Sequence, residues 1–401
     1  MLRMSLILIT AAGLAPAPLA AQDPAPDAAE LARRLDLLAA ELAELRGAET
    51  AGPALDSGGL GPAASSVYRA APGRLSWASY GEITYLDHDG RTDGGAPSGL
   101  GDTWDLHRAV LYLGYRFDER WLFNAEIEFE HVDELSVEFA YLEARLNEAI
   151  AIRAGHLLAP LGLVNEIHEP TTFYSARRPF VETYVIPSTW HENGLGVVAD
   201  WGSFSGRAYL MNGFDAAGFD LADSGLRGGR QSGSRAAAED LALTGRVDWE
   251  GIPGLLVGVG AFSGDSGQQA GAADFATTLL EAHAQWQWRA LRMRGLWAQG
   301  SVEDAALLPT PAPGEDVEGW YLEAGWDLLG GDGGQALTPF LRWEEYDFSA
   351  DAPGDSGVRA LTAGLAWQPH PQVVFKADYT DFANDADTVA DVFAFTVGWA
   401  F

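Results

Sequence analysis

From Leu75 to the last residue, apolar and polar side chains alternate along the chain with a period of two. The final segment is the clearest case, because Phe393, Phe395, Val397 and Trp399 alternate with small or weakly polar residues. Successive side chains of a strand point to opposite faces, so one face of this strand is bulky and apolar. A strand covering a soluble core would instead carry charges on its outer face. The pattern predicts an all-β fold, a transmembrane antiparallel β-barrel.

Charged residues recur on one face of several of these segments, such as Arg108 and Arg116 in Leu106–Phe117, or Glu126 and Glu128 in Trp121–Glu130. Such side chains cannot face hydrocarbon, so we expect them to line a water-filled interior. The predicted pore-lining residues are Arg108, Arg116, Arg153, Arg246, Arg292, Arg294, Arg342, Lys376, Glu126 and Glu128. Both signs of charge share the predicted lumen, which favours a transverse field across the pore.

About sixteen such segments can be counted, and single-chain bacterial barrels have an even number of strands. They are predicted near residues 75, 105, 120, 135, 148, 194, 204, 241, 255, 276, 291, 317, 337, 358, 372 and 391. Short turns and longer polar loops alternate between them, except at Val132–Glu134, where an external loop is expected but only a very short one fits. A barrel of this size leaves an aqueous channel.

The N-terminal part is predicted to contain three segments before the barrel at 75–401. Residues 1–21 have the basic start, short apolar run and small residues of a secretory signal peptide, with a membrane anchor as the alternative. Residues 22–46 place Leu31, Leu35 and Leu38 on a heptad seam, which predicts a short periplasmic coiled coil that assists oligomerisation; a lone amphipathic helix is the alternative. Residues 47–74 have no periodicity and are interpreted as a flexible linker.

The longest connection, at 157–193, is the third long loop, and it is too apolar to extend into water. We expect it to fold into the barrel and narrow the pore, with Arg177, Arg178, Tyr174 and Glu182 at the constriction. In the alternative interpretation the loop packs at a subunit interface and its arginines pair with Glu166, Glu169 or Glu182.

Composition excludes several classes of function. The net charge of −32 is unsuited to nucleic acid, and the absence of cysteine excludes disulfides and thiolate chemistry. Three histidines, His156, His168 and His191, lie near glutamates, but no zinc-protease or nucleophile-elbow motif is present. We therefore predict no catalytic residues, no bound metal and no cofactor, and a channel for passive diffusion of small hydrophilic solutes.

The whole chain resembles the phosphate- and pyrophosphate-selective porin family (porin O and P). The resemblance is carried by the leader, the short coil, the strand number, the loop segment GHLLAPLGLVNEIHEP and the terminal Phe401. It implies a homotrimer in the bacterial outer membrane and an inward third loop whose Arg177 and Arg178 select anions. The last strand with its terminal Phe401 resembles, more generally, the C-terminal strand that the barrel-assembly machinery recognises in outer-membrane proteins. Lipid and lipopolysaccharide are the expected surroundings.

This chain departs from the family in its lysines, since Lys376 is the only one. The family's selective members combine arginines with a lysine cluster, so the solute remains open. The alternatives are a porin for sugars or organic acids and a non-conducting structural or adhesive envelope barrel.

Overall fold

Sixteen antiparallel strands close into a single barrel in a computed structural model of the protein. The structure describes residues 54–401 except 270, 272, 311, 331–333 and 353–356. The predicted signal peptide, the predicted coiled coil and the first part of the predicted linker lie outside the described residues. The strands are β1 Arg74–His88, β2 Thr103–Arg116, β3 Trp121–Glu130, β4 Glu134–Arg145, β5 Ile150–Leu158, β6 His191–Trp201, β7 Phe204–Asn212, β8 Leu241–Ile252, β9 Leu255–Asp265, β10 Ala276–Trp288, β11 Leu291–Val302, β12 Asp316–Trp326, β13 Ala336–Asp347, β14 Val358–His370, β15 Val373–Asn384 and β16 Val392–Ala400.

Each strand pairs with its neighbours in sequence, and the last strand closes the barrel on the first. The β1–β16 register runs from Tyr80 opposite Ala400 to His88 opposite Val392. Closure leaves no free edge, so the backbone N–H and C=O groups of every strand have partners on both sides. The predicted fold class and strand number are confirmed, because strand starts fall within a few residues of the predicted positions.

The connections differ in length at the two ends of the barrel. One end of the barrel has seven connections, most of which are tight turns, and we call it the turn end. The start of β1 and the last residue of the chain lie at the same end. The opposite loop end carries loops L1 to L8, at 89–102, 131–133, 159–190, 213–240, 266–275, 303–315, 348–357 and 385–391. L2 is as short as the sequence predicted, and His131 and Val132 reverse the chain with φ of 51° and 76°.

The outer face of the barrel is apolar and the inner face is polar or aromatic. Strand β10 shows the alternation: Leu280 and Trp286 are exposed outward, whereas Glu281, His283 and Gln285 are buried inside. Large exposed side chains such as Leu243, at 65% exposure, recur around the outer surface. This is the outward apolar band that a hydrocarbon environment requires.

The segment predicted as a flexible linker is instead ordered at its C-terminal part, which is a correction to the sequence analysis. A short helix, α1 (Ala54–Ser57), and a 3₁₀ turn at Ser66–Arg69 pack inside the turn end of the barrel. The segment fits a narrow space: a Cβ on Gly59 would lie 2.7 Å from Cζ of Arg207, and one on Gly61 would lie 2.5 Å from Oε1 of Glu169. The remaining helix, α2 (Phe180–Tyr184), lies within L3. Among the described residues no helix has the length and apolar character to cross a bilayer.

The alternation makes a prediction about β16. Phe395 lies mid-strand, between Tyr85 of β1 and Ala377 of β15, on the outer face. Phe395→Arg should place a charge in hydrocarbon at a cost of ~2–4 kcal/mol near the midplane, and so lower the folded fraction. The measurement is heat-modifiable gel mobility after refolding from urea into lipid vesicles, with Phe395→Leu as the matched control. Equal folding of both variants would show that this face does not meet lipid.

Candidate functional site

Loop L3 turns into the barrel and packs against the inner wall. Trp190 is fully buried, stacks on Phe214 of L4 with ring centroids 4.3 Å apart, and meets Phe262 of β9 at 4.9 Å. Phe180 and Val181 of α2 join the same apolar cluster with Tyr321 of β12. The sequence predicted that this loop is too apolar to extend into water, and its apolar residues form a core inside the barrel.

Carboxylates of the wall hold the backbone of L3 in place. Glu344 of β13 accepts a 2.6 Å hydrogen bond from the N–H of Phe180, at the start of α2. Asp378 of β15 accepts one of the same length from the N–H of Ala176, and Nζ of Lys376 donates to the carbonyl of Ser175 at 3.0 Å. These bonds satisfy backbone groups of a loop that has no sheet or long helix of its own.

The predicted pore-lining cations do face the interior, but most of them are already paired. The pairs and their N–O distances are Arg108–Glu82 at 3.0 Å, Arg153–Glu143 at 2.7 Å, Arg246–Asp248 at 2.8 Å, Arg294–Glu323 at 2.7 Å and Arg342–Glu344 at 2.5 Å. Arg292 donates to the carbonyl of Thr172 in L3 at 2.9 Å. Arg116 lies at the turn end beside Glu119. These cations therefore brace the wall and L3 rather than line an open channel.

A cavity of about 460 Å³ opens at the loop end between L3, L4 and strands β1 to β4. Its loop side carries Arg177 and Arg178 of L3 with Arg227 and Arg230 of L4. Its wall side carries carboxylates, namely Glu82, Asp105, Glu128, Glu130 and Glu138. Charges of both signs thus face this cavity.

Arg177 and Arg178 have no carboxylate partner among the described residues. The Nε and Nη2 atoms of both side chains are buried and lack a hydrogen-bond partner there. Arg177 rests on the ring of Phe180, 4.7 Å from its centroid, and burial lowers the pKa of its guanidinium below the usual value. Buried, unpaired guanidinium groups are costly, and an anion that accepts their hydrogen bonds removes that cost.

The glutamates proposed as alternative partners of these arginines are engaged elsewhere. Glu166 pairs with Arg207 at 2.8 Å, and Glu169 accepts a hydrogen bond from the N–H of Ala63 at 2.9 Å. Glu182 accepts the N–H groups of Leu163 and Val164 at 2.7 Å each. The arginines therefore lie in the barrel with their donors unused, which does not fit the subunit-interface alternative.

Two residues predicted at the constriction lie outside the cavity lining, which corrects the sequence analysis. Tyr174 stacks on Phe340 of β13 at 5.8 Å, because the loop backbone turns its ring toward the wall. Glu182 is fully buried under the loop, where Tyr321 Oη donates to it at 2.6 Å. Glu182 is thus enclosed beneath the loop, whereas Tyr174 is half-buried against the wall.

Sequence reasoning missed Arg227 and Arg230, which L4 brings to the cavity. Arg230 donates to the carbonyls of Pro187 and Thr189 at 3.2 and 2.8 Å, and Arg227 donates to those of Thr183 and Ser188. Burial, together with neighbouring Arg227, lowers the pKa of Arg230 to about 10. The sequence signal that could have identified them is the close spacing of arginines in a loop whose other charged residues are acidic.

A buried group of titratable side chains lies between L3 and the wall. His168 Nε2 is 3.3 Å from Glu126 Oε1 of β3 and 3.1 Å from Glu138 Oε2 of β4. Its Nδ1 faces the carbonyl oxygen of Asn165 at 2.9 Å. Although burial opposes the charged imidazole, the two carboxylates raise the pKa of His168 to about 10.

The N-terminal segment at 54–69 fills part of the turn end. Arg153 donates to the carbonyl of Gly58 at 3.2 Å, and Tyr68 donates to Glu143 at 2.9 Å. Asn124 Nδ2 donates to the carbonyl of Ala64 at 2.9 Å. A second cavity of about 190 Å³ lies at this end, beside Leu55 and Tyr68.

Known proteins share this architecture. No protein-family model matches the chain. The anion-selective porin from Comamonas acidovorans superposes with a TM-score of 0.55 at 13% identity, covering 82% of this chain and 99% of that one. A loop-deletion mutant of OmpT, an outer membrane protein of Vibrio cholerae, gives 0.54 at 10% identity over 82% and 99% of the two chains. OmpF of Salmonella typhi, in complex with daunomycin, gives 0.55 at 10% identity over 82% and 97%. These likenesses establish the fold, which is that of sixteen-stranded porins.

One relative has a much higher sequence identity to this chain than the solved structures do, and it shows the family. An uncharacterized protein of Aquifex aeolicus (strain VF5) is 35% identical over 373 residues, which cover 86% of this chain and 83% of the relative. The chain therefore belongs to the same family as this Aquifex aeolicus protein.

Proposed function

We propose that the protein is a porin of the bacterial outer membrane, which lets small hydrophilic anions diffuse passively through its barrel. The observation that carries the proposal is the unpaired pair Arg177 and Arg178 on an inward L3, facing the loop-end cavity. The loop end faces the outside and the turn end faces the periplasm, as short turns and long loops are arranged in outer-membrane barrels.

The chemistry of the cavity favours an oxyanion over a neutral solute. Guanidinium groups bind carboxylate and phosphate through parallel hydrogen bonds, and low-dielectric surroundings strengthen these bonds. The carboxylates on the opposite wall orient a dipolar solute and limit how long an anion stays, which permits passage. Inorganic phosphate or pyrophosphate is the specific solute that the resemblance to the porin O and P family supports.

The assembly follows from the same proposal. We expect a homotrimer with one pore per chain, surrounded by lipid and lipopolysaccharide and inserted by the barrel-assembly machinery. The predicted leader directs export, and the predicted coil at 22–46 lies in the periplasm and assists trimerisation.

The first test is the current through the mature full chain in a planar bilayer. In a potassium chloride gradient we expect stepwise currents whose reversal potential has the sign of anion selectivity, because Arg177 and Arg178 face the loop-end cavity with unused hydrogen-bond donors. Added phosphate should reduce the current by occupying this pair. A cation-selective current that phosphate leaves unchanged would contradict the proposal.

Removing the pair gives the second test. Arg177→Ala with Arg178→Ala should lower the chloride-to-potassium permeability ratio severalfold and abolish block by phosphate, since the other arginines of this cavity, Arg227 and Arg230, already donate to backbone carbonyls of L3. Arg235→Ala is the matched control, because Arg235 is an exposed arginine of L4 outside the cavity lining. Equal loss of selectivity in the control would assign the effect to overall charge.

A second candidate function, a barrel that does not conduct, is favoured by the N-terminal segment. Leu55, Leu60 and Val67 are buried inside the turn end, where solutes would leave the barrel. The segment also meets L3, because Ala63 and Ala64 donate to Glu169. In this alternative the barrel anchors the periplasmic N-terminal region in the outer membrane.

Loosening the segment distinguishes the two functions. Val67→Asp buries an unpaired carboxylate against Gly114, which costs several kcal/mol and should expel the segment. If the segment limits flow, single-channel conductance should rise severalfold relative to the unaltered chain. Ala71→Asp adds the same charge at an exposed position of the same stretch and should change nothing. Unchanged conductance in both variants would show that the segment does not block the path.

A further inference from the structure

The buried group around His168 has more unsatisfied oxygen atoms than its one imidazole can serve. Glu126, Glu138 and His168 are each at most 2% exposed. Glu126 Oε2 and Glu138 Oε1 are buried without a hydrogen-bond partner among the described residues. Glu138 Oε2 has only His168 Nε2, at 3.1 Å, and shares it with Glu126 Oε1. Tyr80 Oη, whose ring lies 5.8 Å from that of His168, is also buried without a partner there. Buried polar atoms in native proteins are almost always satisfied, so this cluster indicates a missing partner.

The spacing of the three side chains fits a metal ion as that partner. Each residue offers one ligand atom, and the three atoms lie within 4.8 Å of one another. His168 Nε2 is separated from the two carboxylate oxygens by 3.3 and 3.1 Å. Two ligands with bonds of about 2.0–2.2 Å to a tetrahedral ion lie about 3.3 Å apart, so the ion fits between them with little movement.

The environment of His168 prepares its ring to bind a metal. Its Nδ1 lies 2.9 Å from the carbonyl oxygen of Asn165, to which only a protonated nitrogen can donate. When a metal ion replaces the proton on Nε2, the lone pair of this nitrogen is directed toward the carboxylates. A second hydrogen bond that fixes the tautomer in this way is the usual arrangement for histidine ligands.

We propose that Glu126, Glu138 and His168 form a binding site for one divalent first-row transition metal ion, such as Zn²⁺, which ties L3 to strands β3 and β4. The ion enters from the loop-end cavity, because Glu138 also lines that cavity, and water supplies its fourth ligand. The imidazole favours Zn²⁺ over Ca²⁺ or Mg²⁺, which prefer oxygen ligands alone. This inference does not depend on the proposed transport.

A second histidine group at the mouth of the cavity does not meet these conditions. Asp105, His107 and His131 also lie close together, but His107 and His131 are accessible to solvent. Arg108 Nη2 donates to His107 Nε2 at 2.6 Å, so the proton of the neutral ring is on Nδ1, the nitrogen that faces Asp105, and that nitrogen has no free lone pair for a metal. His131 therefore supplies a matched control.

The test uses the untagged mature full chain, stripped with a chelator, equilibrated with Zn²⁺ and desalted. Elemental mass spectrometry should find one Zn²⁺ per chain, retained against excess Ca²⁺. Glu138→Gln and His168→Gln should each weaken Zn²⁺ binding by more than about tenfold, a loss that even outer hydrogen-bond partners of a metal site cause. His131→Gln should bind as the unaltered chain does.

A measurement on the unaltered chain keeps the proposal testable if these variants fail to fold. Co²⁺ added in place of Zn²⁺ should give the visible absorption of a four-coordinate site, and Zn²⁺ should displace it. Heat-modifiable gel mobility reports folding of each variant. Absence of retained Zn²⁺ and of the Co²⁺ spectrum, or loss of binding in His131→Gln but not in His168→Gln, would overturn the proposal and leave a charged imidazole between two carboxylates.

Discussion

The closed hydrogen-bond ladder between β1 and β16 is the constraint on which the rest of the molecule depends. A barrel in hydrocarbon cannot leave a strand edge open, because each unsatisfied backbone group costs several kcal/mol there. Closure assigns every second side chain to lipid and the others to the interior. The interior then contains polar side chains from all sixteen strands, and the loops that fold inward supply hydrogen-bond partners for some of them.

The lumen is packed much like the core of a soluble protein. Wall arginines pair with wall carboxylates, and further carboxylates such as Glu344 and Asp378 hold the L3 backbone. Because the wall arginines are mostly paired with wall carboxylates or bonded to L3, the cations that face the loop-end cavity come from the loops. Arg177 and Arg178 therefore have more influence on selectivity than the net charge of −32 suggests.

L3 also joins the two ends of the barrel. It leaves β5 at the loop end, carries the arginines that face the cavity, and reaches Ala63 and Ala64 of the N-terminal segment through Glu169. His168, the preceding residue, lies against β3 and β4. One loop thus contacts the loop-end cavity, the buried histidine group and the segment that fills the turn end.

The sequence by itself determined the barrel, its strand number, the short L2 and the inward direction of residues such as Arg108 and Glu126. The alternation of apolar and polar residues can be recognised within each short segment, and in a bilayer the apolar face must point to lipid. These features can therefore be predicted without knowledge of tertiary contacts. Only the tertiary structure decided which inward charges stay unpaired, that Tyr174 and Glu182 turn to the wall, and that residues 54–69 enter the lumen. Those outcomes depend on contacts between residues far apart in the chain, such as Arg153 with Gly58 and Glu182 with Tyr321, and on packing in a space whose shape no single segment specifies.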